Sequence, residues 1–284
     1  MLTIFSLPKA FSGHTQIIQD NAIGSWKRLS RPCEIILLGD DPGVAEAAKR
    51  HGVRHEPSVT RNELGTPLLG DVFSSVNKLA NYPVLALVNA DVLLLHDFLS
   101  AIDVVVRSRK KFMMIASRFN RRIDQPLAFD PGWDAELGQK ARAENLMYPA
   151  AGSDVFVFPR GLFDAVPPFA IGRGYWDNWL MYEARRMGAD LIDATAMTTI
   201  VHQLHAYETV AGVPSAGSSD RHVYETKEGQ RNLKMAGGPG RLYTAFDATE
   251  IIGSDGRLHP TWNPTLIRRR IKAWLRRQMA GRRA

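Results

Sequence analysis

Cysteine is nearly absent: Cys33 is the only one in 284 residues. A single thiol excludes an intrachain disulfide and fits a reducing compartment, so a cytoplasmic location is expected. No apolar run approaches the roughly 20 residues of a membrane span. The N-terminus lacks a basic segment followed by an apolar one, so no cleaved leader is predicted. The first strand is not followed by a G-x-G-x-x-G turn, and no Walker phosphate loop occurs, which argues against the common phosphate cradles. Nor is there an N-terminal glycine-rich basic loop able to hold a triphosphate. Any bound nucleotide would need a metal to meet its phosphates.

Acid is missing from one end. From Pro264 to Ala284 there are eight basic residues and no Asp or Glu. Without those eight, the 36 basic residues fall to 28 against 29 acidic ones, so the body is near neutral. The basic pI of 9.6 therefore describes the tail and is no argument for nucleic-acid binding. In the tail, Leu266, Ile267, Ile271, Trp274, Leu275 and Met279 recur at helical spacing among arginines. This predicts a basic amphipathic helix over 263–284. It either docks on the body by its apolar stripe or lies peripherally on an anionic membrane surface.

What is present is strand–helix alternation. Leu2–Ser6 reads as a strand, residues 17–29 as a helix, Glu34–Asp41 as a buried strand and residues 42–51 as a helix. A strand follows at 53–59, a helix at 66–81, a strand at 82–95, a helix at 95–108 and a strand at 112–117. Such alternation predicts an α/β layer, doubly wound around a mostly parallel sheet with helices on both faces. Residues 118–149 read as a loop-rich insertion with a helix over 135–144. Beyond it the pattern gives a strand over 154–159, a short helix over 160–166 and a helix over 176–187. Strand character over 190–201 ends at His202, and one further helix is expected over 227–235.

Three stretches carry candidate chemistry. The apolar run from Tyr82 to Leu95 is interrupted only by Asn89 and Asp91. Polar groups at the end of a buried strand are costly unless they bind something, and in α/β sheets ligands sit at the carboxyl ends of strands. Asp91 is thus either a helix cap or a ligand for metal and phosphate. In Gly172-Arg173-Gly174-Tyr175-Trp176-Asp177-Asn178-Trp179, Asp177 is a cap, a general base, or both. Aromatic walls raise a carboxylate's pKa toward the range a base needs. In Thr198-Thr199-Ile200-Val201-His202-Gln203-Leu204-His205, His202 is a packed residue or a metal ligand, with His205 as competitor.

The order of these segments resembles the GT-A fold glycosyltransferases, in particular the inverting family-2-like branch. Asn89-Ala90-Asp91 resembles the Asp-x-Asp motif with its first carboxylate replaced. Ala151-Gly152-Ser153-Asp154 stands at the place of a glycine-containing loop. Trp176-Asp177-Asn178-Trp179-Leu180, closed by Gly188, resembles the Glu-Asp helix start, with Trp176 in place of the Glu. The likeness covers roughly residues 1–205. It implies a transferase moving sugar from a nucleotide diphosphate, UDP favoured, to a glycan or lipid-linked acceptor. Residues 1–120 would bind the donor, and 121–262 would form the acceptor and catalytic half of the same domain. Asp177 falls on the base, and Asp91 with His202 on the Mn2+ or Mg2+ site. Ser6, Pro8, Lys9, Asp40 (or Asp41), Arg61, Asn62, Asn89 and Ala90 would border the nucleotide. Gly152, Ser153, Asp154, Tyr175, Trp176 and Trp179 would shape the sugar and acceptor pocket. A retaining transferase or donor hydrolase on the same fold, and a non-catalytic nucleotide- or glycan-binding module, are the alternatives.

Overall fold

A computed structural model describes residues 1–144, 147, 153–163, 165–205 and 221–262; the side chains of Arg221 and His222 are outside the description. Gly152 and the tail over 263–284 lie outside the described residues, and so does any test of the membrane-surface helix. Among the described residues no helix is long and apolar enough to cross a membrane.

The strands β1 (Leu2–Ser6), β2 (Glu34–Leu38) and β3 (Arg54–Glu56) alternate with α1 (Gly13–Trp26) and α2 (Val44–His51). After β3 come α3 (Leu69–Leu79), β4 (Val84–Val88), β5 (Val92–Leu94), α4 (Asp97–Ser108), β6 (Phe112–Ile115), β7 (Arg118–Arg121) and α5 (Trp133–Ala143). The chain continues through β8 (Val155–Pro159), α6 (Trp176–Arg186), β9 (Asp190–Asp193), β10 (Ile200–Gln203), α7 (Arg221–Glu225), α8 (Lys227–Ala236), β11 (Glu250–Ile252) and β12 (Leu258–Pro260).

Nine strands form one sheet in the order β12-β11-β9-β6-β8-β4-β1-β2-β3. It is mostly parallel; β8 runs antiparallel to both β4 and β6, and β12 to β11. Because β8 inserts between β4 and β6, segments before and after residue 120 share one sheet. Both faces are covered, which is why the central strands β1, β4, β6 and β8 are largely apolar. Ile4, Ala86 and Val88 pack with Ile23, Trp26 and Phe98 on one side. Phe5, Leu85 and Leu87 pack with Val72, Phe73, Trp179 and Leu180 on the other. The α/β expectation is met.

Three expectations change. The run 82–95 is two strands in two sheets: β4 is central in the large sheet, while β5 joins β10 and β7 in a three-stranded one. Both pieces are fully buried, so an apolar run alone gives no sign of the break; the break is the turn at Asn89-Ala90-Asp91, where Val92 N–H donates to Asn89 C=O at 3.1 Å. The short helix expected over 160–166 does not form among the described residues. Instead Arg160 anchors a turn, its backbone N–H reaching Pro83 C=O and its guanidinium Ala80 C=O. Finally, β7, β11 and β12 are strands that the short, polar segments 118–121, 250–252 and 258–260 did not announce.

Candidate functional site

The small sheet builds the first half of the site. In its register His202 on β10 faces Val92 on β5 and Asn120 on β7. Asp91 immediately precedes β5, and its carbonyl is held by Gln203 N–H at 3.0 Å. The consequence is a cluster: Asp91, His202 and His205 each bring one ligand atom within 4.8 Å of the others. Asp91 Oδ2 lies 3.0 Å from His205 Nε2 and 3.5 Å from His202 Nε2. Burial alone would raise the Asp91 pKa, but the two imidazoles bring it well below the ordinary carboxylate range. His202 Nδ1 lies 3.1 Å from Asn120 Oδ1; when the ring is neutral, that bond leaves its Nε2 lone pair toward Asp91. The other Asp91 oxygen, Oδ1, is buried without a partner among the described residues. A buried, unpartnered carboxylate oxygen beside two imidazoles is a donor set suited to a borderline divalent ion such as Mn2+ or Zn2+, so the residues present fit a metal.

The second half is the start of α6. Gly172 is left-handed at φ 74°, and Tyr175, a non-glycine residue, is left-handed at φ 82°. That strained Tyr175 conformation is held by its surroundings. A Cβ on Gly174 would meet the Tyr224 ring at 2.0 Å, and the same ring packs edge-on against Tyr175 at 4.9 Å. Asp177 sits in the first helical turn, where the dipole favours its anion. Burial nonetheless pushes its pKa up to about 6, with the nearby Asp154 charge adding to the rise. Backbone N–H groups of Asn178 and Asp177, and the Arg118 cation, oppose it. The N-cap position itself is Tyr175, so Asp177 is not the cap residue but a first-turn acid held by backbone N–H groups.

A buried network ties this helix start to its neighbours. Arg173 donates to Glu228 on α8 at 2.7 Å, and Asn62 Nδ2 reaches the same carboxylate at 2.6 Å. Asn232 of α8 holds Ala170 N–H at 2.9 Å and donates to Gly174 C=O at 3.1 Å. Thus α8 clamps the loop that delivers Tyr175 and Asp177.

The remaining sequence candidates fall into place unevenly. Ser6 Oγ donates to Val88 C=O at 2.6 Å, joining the ends of β1 and β4. Pro8 and Ala90 are buried. Lys9 follows on the same loop, held by Gln19 at 2.7 Å. Its pKa is lowered, first by burial of the ammonium, although the residue as a whole is exposed. Asp91 opposes that shift and Arg173 adds to it, so Lys9 lies in the field of both halves of the site. Arg61 forks to Asp40 and Asp41, both at 2.7 Å, and to Gly65 C=O. Asn62 is committed within the protein: besides its bond to Glu228, its Oδ1 accepts from Leu64 N–H and Thr66 N–H. Asn89 and Asp154 bond each other, and Ser153 is buried. Trp176 and Trp179 do not face an open pocket. They are 8% and 6% exposed, packed against Phe156 and Phe169 in the core beneath the site. An aromatic next to a candidate base looks alike in sequence whether it faces ligand or core. Sequence reasoning missed Asn120, Arg118, Glu228 and Tyr224. None carries a local motif, and each becomes relevant only through a partner at least 36 residues distant or on another element.

No protein-family model matches the chain, and no curated protein matches it in sequence. Among solved structures it is similar to the mannosyltransferase PcManGT from Pyrobaculum calidifontis in complex with GDP-Man and Mn2+. That match has 12% identity and a TM-score of 0.47 and covers 72% of this chain but 57% of the other. It is also similar to glucosyl-3-phosphoglycerate synthase from Mycobacterium tuberculosis with Mg2+ and UDP, at 14% identity and TM-score 0.47, over 84% and 80% of the two chains. A third is S. aureus TarS 1-349 in complex with UDP-GlcNAc, at 10% identity and TM-score 0.48, over 82% and 72%. Likenesses this distant carry no argument about activity, which has to come from the site itself.

Proposed function

We propose that the protein is a metal-assisted GT-A type glycosyltransferase that uses a nucleotide-diphosphate sugar, UDP favoured as carrier, and inverts the anomeric carbon. The observation that carries the reading is the Asp91–His202–His205 cluster with its unpartnered buried Oδ1 at the carboxyl end of β4. Asp91, His202 and His205 would hold the ion, His205 joining the two ligands expected from the sequence. A divalent ion there supplies charge neutralisation at the leaving diphosphate.

The rest is the work of this chain's own groups. Asp177, with a carboxyl titrating near 6, accepts the acceptor hydroxyl's proton near neutral pH. The acceptor oxygen forms its bond to the anomeric carbon as the bond from that carbon to the diphosphate breaks, the electron pair leaving with the nucleotide. Lys9, in the field of both Asp91 and Arg173, is a cation available to a diphosphate. Tyr175 and Tyr224, half-buried and edge-to-face, offer ring surface next to the base for a sugar.

The test is thermal unfolding against UDP, GDP, CMP and dTDP, each with and without Mn2+. A ligand at about a hundred times its Kd adds roughly 2.7 kcal/mol. The reading requires a nucleotide shift that depends on Mn2+ and is lost in Asp91→Ala. A shift indifferent to metal removes the metal roles, and no shift with any nucleotide removes the donor site.

A further inference from the structure

Asp154 has no part in the chemistry above, yet both of its carboxylate oxygens are held. Oδ1 accepts from Asn89 Nδ2 at 2.7 Å, and Oδ2 accepts from the Arg118 guanidinium. Its carbonyl takes Asn89 N–H at 3.0 Å. The Ser153 hydroxyl, within hydrogen-bond distance of Ala116 C=O and Val155 C=O, pins the chain on either side. Asp154 precedes β8, and the ladder that pairs Leu87 with Phe156 continues to Asn89 and Asp154, so Asp154 lies on the same face as Phe156 two residues on. Phe156 packs on Trp176 with ring centroids 5.9 Å apart. Asp154 is therefore directed to the side of β8 on which α6 begins, where Asp177 follows Trp176.

This geometry also accounts for the amide at position 89. A carboxylate there would confront Asp154 across 2.7 Å, and one of the two would have to take up a proton. An amide instead donates to it. The acid missing from Asn89-Ala90-Asp91 is compensated by Asp154, which stands just before β8 and 65 residues away.

We propose that Asp154, clamped by Asn89 and Arg118, is a positioning residue that acts on Asp177 through its charge. The proposal rests on Asp177 being the base of the reaction above. Asp154 is a fixed anion on the side of the sheet where the Asp177 carboxyl must hold and then release a proton, and Arg118 is the counter-cation that limits its effect. Burial remains the larger influence on Asp177, with the two charges acting on it in opposite senses.

The experiment is a pH titration of the Asp177 carboxyl by carbon-13 NMR on the full chain without substrate, for wild type, Asp154→Asn and Arg118→Gln. Removal of the anion is expected to lower the Asp177 midpoint by about half a pH unit or more, roughly a threefold change in proton affinity. Removal of the cation is expected to raise it. The acidic limb of the turnover profile should follow in the same directions. A purely structural Asp154 would lower Tm and leave the midpoint where it was, and that result overturns the proposal. If Asp154→Asn does not fold, an unmoved midpoint in Arg118→Gln has the same force. Shifted midpoints with no sugar transfer by wild type would leave the electrostatic coupling standing and count against the reaction.

Discussion

Asn120 Oδ1 lies 3.1 Å from His202 Nδ1, so a residue with no ligand atom of its own sets which imidazole nitrogen faces Asp91. Outer-shell partners of this kind typically matter 10–100-fold in metal affinity. Asn120→Ala should weaken Mn2+ binding about tenfold, and His202→Ala or His205→Ala more. Electron paramagnetic resonance of free Mn2+ during a titration measures this without an activity assay. Equal affinity in all three variants and wild type would remove the metal site.

Asp177→Asn should reduce transfer by about 10²–10⁴-fold, the usual contribution of a general base. In the wild type, activity should rise with pH through about 6 as this carboxyl ionises. A profile flat between pH 5 and 8 would assign the proton to another group.

The same residue makes a stability prediction of definite sign. Its folded pKa is raised from 3.8 to about 6, so the native protein binds the extra proton between those values. Stability from this group is fully present below about pH 4 and is lost as pH rises through 6. Asp177→Asn should therefore stabilise the protein at pH 8, by on the order of 1–3 kcal/mol, and leave it unchanged at pH 4. Calorimetric Tm values at the two pH values decide it.

Glu228 is 4% and Arg173 8% exposed at the side chain. Truncating one partner of a buried pair strands the other charge, at about 3–5 kcal/mol. Glu228→Ala should show that loss in denaturant unfolding, while Glu228→Gln, which keeps the acceptor oxygen, should lose less. Because α8 holds the loop before Asp177, kcat should fall in Glu228→Ala beyond what unfolding explains. A Glu228→Gln variant as stable as the wild type would mean that the charge is not what matters there.

Trp179 distinguishes core from pocket. It lies 5.1 Å from Phe169, ring to ring, and its truncation to Ala should cost about 3–5 kcal/mol. A pocket residue would instead raise KM with little change in Tm.

The sheet was legible because its signal is local: Val, Ile and Leu runs of strand length, separated by amphipathic helices, leave few other arrangements. The split of residues 82–95 was not, since β4 and β5 are equally apolar and only the partners available to each sort them into different sheets. Asp91, Asp177 and His202 were legible as polar groups at the ends of apolar elements, where burial without a role is costly. His205 stayed one of two candidates until the carboxylate 114 residues earlier was found 3.0 Å away.

By itself, the amino-acid sequence determined the α/β layering, the near-neutral body with its basic tail, and three stretches of candidate polar residues at the ends of apolar elements. These follow from composition and periodicity along the chain. Only the tertiary structure decided that Trp176 and Trp179 are core, that Asn120 orients His202, and that Asp154 answers the amide at Asn89. Each of these is a contact between elements far apart in the chain. A side chain's hydrogen bonds, desolvation and charge neighbours are set by what folding brings beside it, and residue type alone does not encode them.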